Sequence, residues 1–87
     1  MAEIHIETID ANHYQVRLVS SATTRHNVTV QPDYAKKFIS GTKSTVDLIH
    51  QSFVFLLARE ANTGILSCFD LNMIVRYFPE YEQEMSK

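Results

Sequence analysis

The residues equipped for chemistry in this chain are His5, His13, His26, His50 and Cys68, with Glu3, Glu7 and Arg17 around the first histidine. A zinc or copper site would need imidazoles and thiolates at a local spacing such as H-x-x-x-H or C-x-x-C. None of the histidines has such a partner, so neither a metal nor a cofactor is expected. Cys68 lies in the apolar stretch "ILSCF". A reactive thiol needs cationic or helix-N-terminal surroundings, so this one reads as buried and inert. Its place just before Asp70 is the one feature that favours reactivity. Glu3, His5, Glu7 and Arg17 fall on a single sheet face, as an active-site floor would. The solvated side of a half-buried sheet has the same composition, and that reading is adopted. Without a Gly-rich phosphate loop or a G-x-S-x-G turn, the chain is not expected to be an enzyme.

The elements that position these residues follow from periodicity. "AEIHIET" (2–8) and "HYQVRLVS" (13–20) alternate, with Ile4, Ile6, Tyr14, Val16 and Leu18 on one face. Period two over β-branched residues predicts half-buried strands, and "DAN" at 10–12 supplies a turn. Val28 and Val30 define a third strand over 25–31. Folded as hairpins, Ile6 opposes Val16 and Val16 opposes Val28, which keeps the apolar rows on one side. His5 then faces solvent across from Arg17, and His26 faces the helices across from Leu18. Pro32 opens a short helix over 33–39 that stops at Gly41. Ser44 or Thr45 caps a long helix over 46–61, with Asp47 in its first turn. Val46, Ile49, Phe53, Leu56 and Leu57 form its main stripe. Asn62 to Gly64 ends it, "ILSCF" makes one turn, and Asp70 caps a last helix.

In that last helix Leu71, Ile74, Val75 and Phe78 share a stripe, continued by Tyr81 and Met85 beyond Pro79. A proline disfavours a helical residue before it and removes one backbone donor, so the helix must break there. The aromatic cluster is read as core closure. "SFVFLLARE" (52–60) and "ILSCFDLNMIVRYFPEYE" (65–82) together resemble a family of short, uncharacterised bacterial proteins with the pattern FLLxRE, IL, FDL and YFPEYE. The resemblance covers only the C-terminal part of the chain. It implies a bacterial source and a shared fold, but no activity. Ala61 stands where that family often has proline, which leaves the end of the long helix less sharply fixed.

The expected fold is a single α+β domain over residues 1–87: a three-stranded antiparallel meander, a short helix, a long helix and a C-terminal helix broken at proline. One cysteine, no basic-then-apolar leader and no apolar run of about 20 residues point to a cytoplasmic protein without a membrane span. Eight basic against ten acidic side chains argue against nucleic acid as main ligand. Arg17, Arg25, Lys36, Lys37 and Lys43 would have to line up for that reading. A more specific signal is the pair Leu48 and Phe55, which lie opposite the main stripe of the long helix with Ser52 and Arg59 beside them. An amphipathic surface helix should be polar there. Either the 33–39 helix covers this second stripe or another copy of the chain does. The expected function is therefore protein interaction through a homodimer interface at Leu48, Ser52, Phe55 and Arg59. A nucleic-acid-associated regulator ranks second and a small enzyme third.

Overall fold

Strands β1 (Glu3–Thr8), β2 (His13–Val19) and β3 (Thr23–Thr29) form the expected antiparallel meander in a computed structural model, which describes residues 3–38 and 44–85. The first turn is held by Asp10, whose Oδ1 accepts the backbone N–H groups of Asn12 and His13 at 2.9 and 3.0 Å. Its carboxyl is held below the ordinary carboxylate range, chiefly by the Asn12 amide and then by the His13 ring. Ile6 opposes Val16, as the alternation requires. The second hairpin differs from expectation: Val28 opposes Tyr14, and Val16 opposes His26. Thr23 and Thr24 extend β3 towards its start, leaving only residues 20–22 as loop. The resulting slip of two residues keeps every apolar row on its own face.

A fourth strand was not expected. Cys68–Asp70 form β4, which pairs parallel to β3 through Asn27–Cys68, Val28–Phe69 and Thr29–Asp70. The sheet is thus mixed, in the order β1-β2-β3-β4, where the sequence predicted three antiparallel strands and a turn. Strand alternation sends Phe69 inward and Cys68 outward, so the thiol is exposed rather than buried.

Pro32 occupies the first turn of α1 (Pro32–Ala35), which is shorter than the 33–39 helix expected. The predicted stop at Gly41 lies outside the described residues. Helix α2 (Thr45–Leu57) starts at a reciprocal cap. Ser44 Oγ accepts the Asp47 N–H at 3.2 Å, and Asp47 returns a carboxylate to the Ser44 N–H at 3.0 Å. The helix ends at Leu57, and Asn62–Gly64 add a 3-10 turn. Asp70 accepts the Asn72 N–H, as a cap should. The last helix is broken as predicted. A 3-10 turn (Leu71–Met73) leads into α3 (Ile74–Tyr77), Phe78 leaves helical geometry at φ −133°, and α4 (Tyr81–Met85) follows Pro79.

All the helices gather around one apolar core. Ile49, Phe53 and Leu56 of α2 are buried with Val16, Leu18 and Val28 of the sheet and Ile74 of α3. Ile4, Ile6 and Phe78, expected in the core, are only partly buried against it, and Val46 is exposed. Among the described residues, no helix is long and apolar enough to cross a membrane. Phe53 packs at a tilt against both His26 and Phe69, at centroid distances of 5.7 and 6.0 Å. Phe53→Ala should cost about 3 to 5 kcal/mol. A urea melt showing under about 1 kcal/mol of loss would place this ring outside the core.

Candidate functional site

The four residues expected to form an interface between copies do come together, but inside the chain. Leu48 and Ser52 have no exposed surface and Phe55 is 6 % exposed; Arg59 alone reaches solvent. The second stripe of α2 is therefore not open, which removes the reason for expecting a partner there. Its cover is the C-terminal aromatic cluster. Phe55 packs edge-on against Phe78 and Tyr81, with centroids 5.8 and 5.4 Å apart, and Phe38 after α1 closes over Tyr81. Ser52 Oγ donates to the Leu48 carbonyl at 2.7 Å, so the Tyr81 hydroxyl is the donor in the 2.6 Å bond to Ser52. Arg59 folds back onto its own helix. Its guanidinium lies 3.6 Å from the centre of the Phe55 ring and donates to the Phe55 carbonyl, one of the orphan acceptors at the end of α2.

Burial pushes the Tyr81 phenol up to about 12. Tyr34, hydrogen-bonded to Glu82 at 2.8 Å, is also raised, by burial first and by that carboxylate second. A raised tyrosine favours the neutral form in the folded chain. Its contribution is complete below the ordinary value of 10.0 and is lost as pH rises through about 12. Stability should therefore fall between those values. Tyr81→Phe should cost about 1 kcal/mol near neutrality, for one lost hydrogen bond, and should show a shallower alkaline decline. Phe55→Ala should cost about 3 to 5 kcal/mol in the same melts, as a core aromatic does.

His26 is almost completely buried and faces the helices as expected, opposite Val16 rather than Leu18. Nδ1 lies 2.7 Å from the Leu66 carbonyl, which can only accept, so Nδ1 carries the proton. Nε2 then accepts from the Thr24 hydroxyl at 2.8 Å. Asn62 Nδ2 donates to Thr24 Oγ1 at 3.2 Å and to the Ala22 carbonyl at 2.9 Å. Both ring nitrogens are thus committed, and the network ties β3 to the segment that leads into β4. The sequence marks Asn62 only as a helix terminator; its reach across to Ala22 has no local sequence signal.

Two open concavities stand out among the described residues. The first is a cleft of about 180 Å³ between the end of α2 and α3, with Leu56, Phe69 and Ile74 as its floor. Its rim carries Leu66 and Tyr77, 48 % and 63 % exposed, and one charged residue, Glu60. The Glu60 carboxylate lies over Gly64, where a Cβ would meet it at 3.0 Å. The second, about 280 Å³, lies on the outer face of the sheet and is bounded by His5, Glu7, Gln15, Arg17 and Arg25. Glu3, His5, Glu7 and Arg17 share this face as the alternation predicted. The basic residues do not line up. Arg17 and Arg25 belong to the outer sheet face, whereas Lys36 and Lys37 follow α1, with Lys37 over the Tyr34 ring; Lys43 lies outside the described residues. Among the described residues, no three of His, Cys, Asp or Glu converge as a metal site would require. No protein-family model matches the chain, and neither a curated protein nor a solved structure is significantly similar to it.

Proposed function

We propose that the chain is a small cytoplasmic protein-interaction module. Its cleft between α2 and α3 takes one large apolar side chain of a protein partner, with a basic neighbour set against Glu60. The exposed apolar rim carries this reading. Leu66 and Tyr77 stand in water beside a concave floor that is itself apolar. Isolated surface apolar groups need no explanation, but a concave group of them does. The volume of about 180 Å³ is close to the roughly 150 Å³ of an apolar cavity that holds a benzene ring. Aromatic anchors with one charge at the rim suit a partner segment held by a single inserted side chain. Self-association through Leu48 and Phe55 is not retained, because those side chains are occupied within the chain. The exposed free thiol of Cys68 fits a reducing compartment.

Selection from a displayed random-peptide library tests the reading. Enriched peptides should carry Leu, Phe or Met next to Lys or Arg, and should shift the backbone amide signals of Leu66, Met73 and Tyr77. Leu66→Asp and Tyr77→Ala should each weaken such a peptide at least tenfold without loss of fold. Glu60→Gln should have a smaller effect and should reduce the salt dependence of binding. Absence of enrichment, or enriched peptides that leave the cleft signals unmoved, would overturn the proposal.

A further inference from the structure

We propose that the outer face of the sheet is a separate site for a small phosphate ester bearing hydroxyl groups. Arg17 and Arg25 are directly opposed in the β2–β3 register. Side chains so placed start about 5 Å apart at Cβ, and like charges in that position repel. Neither guanidinium has a carboxylate within ion-pair distance among the described residues. The fold thus holds an uncompensated pair of planar cationic forks on one row. Guanidinium forks match phosphate oxygens two at a time, and a doubly charged phosphate placed between them turns the repulsion into two attractions. His5 continues the same row on β1, opposite Arg17, with its ring 3.8 Å from the Glu3 carboxylate, so the two guanidinium forks are the phosphate donors and the imidazole borders them.

The neighbouring row defines what else the ligand carries. Glu7 and Gln15 oppose each other there, and both line the same cavity. A carboxylate repels further phosphate but accepts hydrogen bonds from hydroxyls, while the Gln15 amide serves either role. Glu3 stands on the other side of the row, so acids flank the cations on both sides along β1. One compact phosphate fits between them, and a polyphosphate does not. The outer face carries no Phe, Tyr or Trp among the described residues, so bases of a nucleic acid have nothing to stack on. This site lies across the sheet from the helices and uses none of the cleft residues.

Amide-resolved NMR titration separates the outcomes. The probes are inorganic phosphate, glycerol 3-phosphate, glycerol and a single-stranded oligouridylate. Both phosphates should saturate, shift the signals of His5, Arg17 and Arg25, and leave Leu66 and Tyr77 unmoved. Glycerol 3-phosphate should bind at least threefold more tightly than inorganic phosphate, and glycerol should not bind. Arg17→Gln and Arg25→Gln should each weaken glycerol 3-phosphate at least tenfold. Without ligand, both variants should melt no lower than the parent chain, since each removes a repulsion, and glycerol 3-phosphate should raise only the parent's melting temperature. Binding that survives either substitution, tighter binding of the oligouridylate, or no saturation by glycerol 3-phosphate would overturn the proposal.

Discussion

Helix α2 is apolar on two sides, and the fold has to cover it twice. The sheet takes the side that carries Ile49 and Phe53. The other side, with Leu48, Ser52 and Phe55, is taken by Tyr81 and Met85 of α4. Ser52 is the polar gap in that second stripe, and the Tyr81 hydroxyl fills it. A buried hydroxyl without a partner is costly, so this bond selects one placement of α4 among the many that apolar contact alone would permit. Pro79 makes the placement reachable, since an unbroken helix from Leu71 to Met85 would carry Tyr81 along the axis of α3. The cleft is bounded on one side by α3, so its shape depends on the same turn.

The sheet has a comparable dependence on His26. Parallel pairing of only three residues in β4 adds little on its own. The approach to β4 is instead anchored by a side chain that joins the Leu66 carbonyl to β3, and by Asn62 one turn earlier. Phe69 then reaches the core beside Phe53, and Leu66 is left at the rim of the cleft.

Much of this was legible in the sequence wherever a local rule applied. Alternation specified the meander and the exposed row of Glu3, His5 and Glu7. The reciprocal cap at Ser44 and Asp47, and the break at Pro79, follow from backbone chemistry a few residues wide. What failed was non-local. The Leu48–Phe55 stripe and the Tyr81–Met85 stripe were each visible, one read as needing a partner and the other as closing the core. Periodicity describes the face of one element and is silent on which other face it meets, so their pairing went unread. Strand β4 escaped for a related reason, because three residues show no period and the partner strand lies in the other half of the chain. The cleft went unread too: it is built from ends of elements, where Leu66 and Tyr77 carry no pattern beyond being apolar.

The pairing of β3 with β4 joins opposite halves of the chain, and this fixes an order of events during synthesis. The three-stranded meander leaves the ribosome before α2 and β4, with Val16, Leu18 and Val28 facing water and the far edge of β3 unpaired. Neither defect is repaired until α2 and β4 have been made, because Phe53 and Phe69 supply the cover and Cys68–Asp70 supply the edge. For that interval the nascent chain is a sticky template for strands of its neighbours. Slower elongation once β3 has emerged would lengthen the exposure, and crowded polysomes would raise the chance that β3 finds the wrong strand.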